Sequence, residues 1–153
     1  MANRYEALLS EAFPGEEHRF FAPMVIGTSP ADADNGAAAI LIGKKTATSA
    51  AFWDFPDGRI PFVGALSVLL DGRDMPRAIL ETERVDIIPF SAADEALALA
   101  YGEWDLTLPT WSQKTRTLYE VSAAKRGQAF SDDTAIICEW FRVVCTLKRS
   151  IKA

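Results

Sequence analysis

The sequence has very few of the residues that most often hold metals or form disulfides. Its 153 residues include two cysteines and one histidine, His18. A zinc site built from cysteine and histidine needs about four such ligands at short spacings, so the sequence argues against one. Cys138 and Cys145 are an odd number of positions apart in one predicted strand, which directs them to opposite faces and argues against a disulfide. We expect neither a metal nor another cofactor.

An excess of positive charge and long apolar runs are also missing. The formal net charge is -5 and the pI is near 4.9, so we expect no general attraction to duplex DNA. No apolar run approaches the roughly 18 to 20 residues that span a bilayer. The first residues also lack the basic start and apolar centre of a secretion signal. These features predict a cytoplasmic protein without a membrane partner.

The composition that is present is that of an ordinary globular protein, 49% hydrophobic and 24% charged. The length suits a single domain over residues 1–153. The predicted order of elements is helix, strand, hairpin, two helices and strand, which has too few crossovers for a parallel sheet. We therefore predict an α+β fold with a small, mostly antiparallel, curled sheet or barrel flanked by helices. Residues 1–28 are predicted to form an arm over a core of about 29–147, because the apolar cluster at 20–26 has no clear period.

A helix-to-strand corner at residues 43–48 is the most distinctive local feature. Ser29 and Pro30 predict a helix start, and Gly43 predicts its end. Two lysines and two threonines follow Gly43 directly, so amines and hydroxyls meet where two rigid elements join. Lysines at a helix end and threonines in a strand also suit the structure without any function. The corner alone therefore leaves both interpretations open.

Several segments, in order along residues 29–144, resemble ASCH domain proteins, which are relatives of the PUA-like fold. The resemblance rests on the corner at 43–48, the hairpin end at 79–85, the Ile88-Pro89-Phe90 corner, Gly102-Glu103 before a Trp-bearing helix, and Phe130-Ser131-Asp132-Asp133 before Ile137-Cys138-Glu139. It implies a PUA-like β-barrel with a cleft on one side, whose partner is RNA or a modified nucleoside.

The resemblance also implies a reaction, because one bacterial branch of that family removes the acetyl group from N4-acetylcytidine. That activity uses a lysine, a threonine three residues later and a glutamate from a later loop. Residue by residue, these catalytic roles fall on Lys45, Thr48 and Glu103, and the implied activity is metal-independent hydrolysis of an acyl group on a modified cytidine. A threonine hydroxyl needs a base, and a desolvated lysine with a lowered pKa can serve. A carboxylate held near Lys45 would favour its charged form and oppose that role.

Substrate binding in the cleft is predicted for five further residues: Lys44, Trp53, Arg59, Trp104 and Ser131. The cations would contact phosphate, and each tryptophan that stacks on a base would contribute roughly 1 to 3 kcal/mol. Backbone amides near Ser131, or at a helix predicted to begin at Ser91, would hold a developing oxyanion. Two alternatives remain open. One is a single-stranded RNA ribonuclease or a non-catalytic RNA-binding module, and the other is a protein interaction module that uses exposed aromatics.

Overall fold

A computed structural model describes residues 4–55 and 57–148. Within that part of the chain it has four α-helices and five β-strands, joined by loops and short 3-10 turns. The helices are α1 (Arg4–Ala12), α2 (Pro30–Leu41), α3 (Glu95–Tyr101) and α4 (Leu108–Lys125), and the strands are β1 (Phe20–Met24), β2 (Ala47–Ala51), β3 (Leu66–Leu70), β4 (Pro76–Pro89) and β5 (Ala135–Thr146).

Helix α2 forms as its capping residues predict. The Ser29 hydroxyl accepts a hydrogen bond from the Asp32 amide at 3.1 Å, and Pro30 occupies the first turn, where its missing N–H costs nothing. Such a cap stabilises a helix by about 1 kcal/mol. Ala33, Ala37 and Ile40 are buried on one side of the helix. The small side chains of Ala33 and Ala37 bring the helix close to the sheet, which fixes the position of the corner that follows.

The five strands form one mixed sheet in the order β1-β3-β4-β5-β2. The β1–β3 pair is parallel and the other three pairs are antiparallel. The prediction of an α+β fold with a mostly antiparallel, curled sheet is therefore confirmed. The predicted barrel is not, because the described edge strands β1 and β2 form no ladder with each other. Both strands nevertheless line the same cavity, so the sheet curls without closing.

Residues 4–24, which belong to the predicted amino-terminal arm, contribute α1 and the edge strand β1 to the fold. Phe20 pairs with Leu66 in the β1–β3 ladder, and Leu9 of α1 is fully buried in the same apolar cluster as Leu66. Pro23 lacks an N–H, which suits an edge strand and also hides the strand in a sequence pattern. Residues 1–3 of the predicted arm lie outside the described residues.

Apolar clusters lie on both faces of the sheet. Tyr101, Trp111 and Tyr119 from α3 and α4 pack on Ile136 and Cys138 of β5. A second cluster joins α2 to β3, β4 and β5, and a third joins α1 to β1, β3 and β4. Cys138 and Cys145 are both free thiols, as predicted, and they pack against different clusters.

In the parts of the chain with described coordinates, no helix combines the length and the apolar character that a bilayer span requires.

Candidate functional site

The corner after α2 is held against the end of α3 by close backbone contact. Gly102 ends α3 with a φ of 67°, a left-handed conformation that costs glycine little. A Cβ atom on Gly102 would lie 2.3 Å from the Lys44 carbonyl oxygen, so only glycine lets the two segments approach this closely. The Thr46 amide donates to the Ala100 carbonyl at 2.8 Å and locks the contact. The geometry brings Lys45 and Glu103 together although they are far apart in the sequence.

Lys45 is buried at this contact and forms an ion pair with Glu103. Its Nζ lies 2.7 Å from Glu103 Oε2, donates to the Tyr101 carbonyl at 3.0 Å and sits 3.7 Å from the centroid of the Tyr101 ring. Burial lowers the pKa of Lys45 to about 8, although the nearby Glu103 carboxylate raises it in part. The lysine side chain has no exposed surface, whereas 27% of the Glu103 side chain is exposed. The ion pair therefore extends from the buried amine of Lys45 to the partly exposed carboxylate of Glu103.

Thr48 lies on the edge strand β2, next to Tyr101, the aromatic residue whose ring contacts the Lys45 amine. Burial raises the pKa of Tyr101 to about 12, and hydrogen bonds with Ser49 and Thr48 partly offset that rise. The Ser49 hydroxyl lies 3.1 Å from the Tyr101 hydroxyl. Tyr101 thus contacts Lys45 through its ring and the β2 hydroxyls through its phenol oxygen. The structure gathers the predicted residues Lys45, Thr48 and Glu103 around this one tyrosine.

Two adjoining cavities open beside Thr48. The first, of about 430 Å³, lies between β1 and β2, and the second, of about 750 Å³, lies between β2 and the start of the Glu103 loop and α4. Five lining residues belong to both: Val25, Ile26, Thr48, Ser49 and Asp54. We call the two cavities together the groove. Each of the two cavities has a volume in the range usual for small-molecule sites.

The groove is acidic. Its lining contains four carboxylates and two cationic side chains: Asp54, Asp57, Glu103, Glu139, Arg59 and Lys125. Arg59 is already engaged, because its guanidinium donates to the Phe20 carbonyl at 3.0 Å and lies over the Phe21 ring. A phosphate backbone would therefore meet net negative charge along this surface.

Two of the five predicted binding residues line the groove. Arg59 lies in the first cavity and Trp104 in the second, where the indole is 38% exposed and stacks on Tyr101 with the centroids 6.0 Å apart. The other three lie outside the groove lining, each for its own reason. Lys44 has an exposed side chain at the corner, Trp53 donates from Nε1 to the Ser122 hydroxyl at 2.9 Å and packs on the core, and Ser131 lies in the turn before β5.

The predicted helix start at Ser91 is also wrong. Helix α3 begins at Glu95, and its N-cap is Asp94, which accepts a hydrogen bond from the Leu97 amide. The Ser91 amide donates to the Asp132 carbonyl at 2.9 Å, so it is not free to hold an oxyanion.

Sequence reasoning did not identify Glu139 as a groove residue. Glu139 lies directly opposite Thr48 in the β2–β5 ladder, so the two side chains share one face of the sheet. It is only 6% exposed, and its Oε2 accepts a hydrogen bond from the Thr82 hydroxyl at 2.5 Å. Burial raises the pKa of this carboxyl. A single acid within the apolar run of β5 was the available signal.

No group of three or more histidine, cysteine, aspartate or glutamate side chains is placed to hold a metal ion in the part of the chain that the structure describes.

Comparisons with known proteins identify the family. A family model described as the ASCH domain matches residues 22–145, which is most of the chain. The fold resembles a crystal structure of an ASCH domain from Lactobacillus crispatus, with a TM-score of 0.80 and 26% identity over 92% of this chain and 91% of that one. It also resembles a protein from Enterococcus faecalis, with a TM-score of 0.76 over 93% and 86% of the two chains, and at 23% identity that likeness concerns the fold alone. No curated protein matches. The chain belongs to the ASCH domain family.

Proposed function

We propose that the groove is the active site of a metal-independent hydrolase that removes an acyl group from a modified cytidine such as N4-acetylcytidine. The observation that carries the proposal is the buried ion pair of Lys45 and Glu103, whose exposed carboxylate end lines the same cavity as Thr48. The three residues match the catalytic pattern that the family resemblance implies.

Thr48 supplies the nucleophile in this reaction. Its oxygen attacks the acyl carbon, the bond from that carbon to N4 breaks, and cytidine leaves with the proton that the hydroxyl gives up. Water then hydrolyses the threonine ester, releasing the carboxylic acid and restoring the hydroxyl. A threonine hydroxyl reacts in this way only when a nearby base takes its proton.

The Lys45 and Glu103 pair supplies that base. A fully solvated lysine is protonated at neutral pH, whereas burial brings the pKa of Lys45 to about 8, within the range where a neutral amine is available. Glu103 holds the amine in place at 2.7 Å. Its negative charge favours the ammonium form, so it opposes the base role, but burial is the larger effect and still lowers the pKa of Lys45. Burying a lysine is costly, and an apolar pair of similar volume is often as stable, so packing alone gives little reason for this charge.

The charge of the groove favours a small substrate over an RNA strand. Glu103 is paired with Lys45, but the three other lining carboxylates would repel phosphates, whereas a nucleoside carries no charge at neutral pH and offers N–H groups that donate hydrogen bonds to carboxylates. Trp104 is exposed beside Glu103, where a nucleobase can stack on it. These features support a nucleoside as the ligand.

The test is the release of cytidine from N4-acetylcytidine, followed by chromatography. The wild-type protein should release cytidine, and Thr48→Ala should lose at least about 100-fold in rate, because the neighbouring Ser49 hydroxyl is already hydrogen-bonded to the hydroxyls of Tyr101 and Tyr119. Thr48→Ser retains a hydroxyl and should keep measurable activity. Thr107→Ala, in the loop before α4 and outside the groove lining, is the control for threonine removal.

A labelled single-stranded RNA provides the second arm of the test. If the strand is cut or bound and N4-acetylcytidine stays intact, the groove acts on RNA and the amide hydrolase is excluded. Full hydrolysis of N4-acetylcytidine by Thr48→Ala would also exclude the covalent mechanism.

A further inference from the structure

The floor of the first cavity carries polar side chains that the proposed reaction does not use. Glu139 of β5 and Ser67 of β3 both line this cavity. Their residues are 6% and 2% exposed, so nearly all of their surface is withdrawn from bulk water. Buried polar groups are normally satisfied by hydrogen bonds, and those that are not require an explanation.

Glu139 has fewer partners than a buried carboxylate needs. Its Oε2 accepts from the Thr82 hydroxyl at 2.5 Å, and no other donor to it is found among the described residues. Its Oε1 is therefore left to accept a hydrogen bond from a molecule in the cavity. The pKa of this carboxyl is raised for the same reason. Burial raises it, and the hydrogen bond from Thr82 lowers it only in part.

Ser67 adds a second unsatisfied group on the same floor. Its hydroxyl is buried and has no hydrogen-bond partner among the described residues. Leaving such a group unpaired costs about 1 to 3 kcal/mol, which a bound molecule would recover. A carboxylate that accepts and a hydroxyl that can donate together match a planar group that carries an N–H beside a ring nitrogen with a free lone pair.

We propose that Glu139 and Ser67 form the recognition site for the N4 edge of a cytosine base. Glu139 accepts a hydrogen bond from the N4 amine, Ser67 donates to the N3 ring nitrogen, and Thr82 is a positioning residue that orients the carboxylate. This assignment rests on the proposed function and deepens it by naming the part of the substrate that is read.

The register of the sheet connects this site to the reaction. Glu139 and Thr48 are directly opposite in the β2–β5 ladder, and such residues have Cβ atoms about 4.5 to 5.5 Å apart. An acyl group on N4 is attached to the atom that Glu139 binds. Recognition of N4 by Glu139 therefore places the acyl carbon beside the Thr48 hydroxyl.

Uracil is the base that this site should reject. It carries a carbonyl oxygen where cytosine carries N4, so it would place a lone pair against the Glu139 carboxylate. A site built to accept from an N–H discriminates against an analogue without one, since the buried acceptor is then left unpaired.

The test compares the dissociation constants of cytidine and uridine by calorimetry in mildly alkaline buffer, because the raised pKa of Glu139 makes higher pH favour its carboxylate form. The wild-type protein should bind cytidine about 10-fold more tightly than uridine. Glu139→Gln should abolish or reverse this preference, because a carboxamide can donate to the uridine oxygen. Ser67→Ala should weaken cytidine binding while the preference persists. Circular dichroism of each variant establishes that it folds.

Two control variants separate recognition from charge. Asp57→Asn removes an exposed carboxylate at the rim of the same cavity and should change both affinities by the same factor. Glu120→Gln, exposed on α4 and outside the groove lining, should change neither. A wild-type protein that binds both nucleosides equally, or a folded Glu139→Gln that keeps the cytidine preference, overturns the proposal.

The outcome is distinct from that of the hydrolysis assay. A cytidine preference that depends on Glu139, without release of cytidine from N4-acetylcytidine, leaves the recognition site standing and removes the proposed function. Hydrolysis of N4-acetylcytidine without a cytidine preference would leave the proposed function standing and remove the recognition site.

Discussion

Lys45 and Glu139 are both buried charged residues, one paired with Glu103 and the other directly opposite Thr48 in the β2–β5 ladder, and they differ in how well the protein compensates their charge. Lys45 is 1% exposed and has a carboxylate, a carbonyl and an aromatic ring around its amine. Glu139 is 6% exposed and has one neutral hydroxyl as its partner. Burial lowers the pKa of the first and raises the pKa of the second, so in each case it works against the charge.

The difference separates two kinds of functional residue. The protein itself satisfies Lys45, and its role depends on how easily the amine loses a proton within the pair. The protein gives the Glu139 carboxylate one hydrogen-bond donor, so its role in the proposal depends on the second donor that a ligand supplies. Under the proposed function, the Glu103 end of the groove supplies the chemistry and the Glu139 end recognises the base, and Thr48 lines both cavities.

Gly102→Ala should break the contact that brings Lys45 and Glu103 together and produce the largest loss of stability. A left-handed residue with a side chain costs about 1 to 2 kcal/mol, and here the added Cβ would also collide with the Lys44 carbonyl at 2.3 Å. Urea unfolding should therefore show a loss of about 3 kcal/mol or more. Hydrolysis should fall as well, because Lys45 and Glu103 are displaced.

Gly127→Ala is the matched control. Gly127 follows α4 with a φ of 66°, and a Cβ atom there would have nothing within 4 Å. The Gly127→Ala variant should lose only the cost of a left-handed residue with a side chain, about 1 to 2 kcal/mol. Equal losses in the two variants would mean that the contact between the corner and α3 does not hold the site together.

Lys45→Met tests how much the buried amine costs. The pKa of Lys45 in the folded protein, about 8, lies below the usual 10.5, so between these values the unfolded chain binds more protons. The stability of the wild type should rise as the pH rises from about 8 to 10.5, and the cost is fully present below about 8. The expected change relative to Lys45→Met is on the order of a few kcal/mol. Denaturant unfolding at several pH values measures it, and parallel curves for the two proteins would contradict the assignment.

Glu139→Gln should change the stability less than Lys45→Met does, and its effect should depend on pH in the opposite direction. A raised carboxyl pKa means that the folded protein binds more protons than the unfolded chain above the ordinary value of 4.5. The cost of the charge is therefore present at neutral pH and disappears as the pH falls through 4.5. The variant should be more stable than the wild type at neutral pH and equal to it in acid. Thermal unfolding checks this, and a variant that is less stable at neutral pH would show that the carboxylate holds the fold together.

Local sequence patterns predicted the corner before β2. The cap at Ser29 and the glycine after α2 placed it, whereas the roles of Lys45 and Thr48 came from the family resemblance. The family resemblance, and not any local pattern, connected Glu103 to them. The contact depends on Gly102, whose close approach to Lys44 belongs to the tertiary structure.

The other end of the groove could not be predicted, because it depends on long-range pairing. Thr48 and Glu139 meet only through the β2–β5 register, and β1 reaches the groove only through its parallel pairing with β3. Neither register leaves a periodic pattern in the sequence, since each depends on which strands become neighbours. The open sheet was missed for the same reason, because closure is decided by the two edge strands.

The most direct test of the account is the pH dependence of cytidine release from N4-acetylcytidine by the wild type, with Thr48→Ala as the blank. If neutral Lys45 is the base, kcat should rise with pH and level off above about 8, while Thr48→Ala stays at the blank rate. A rate that falls above about 8 would show that the charged amine is required. No release at any pH would contradict the hydrolase itself.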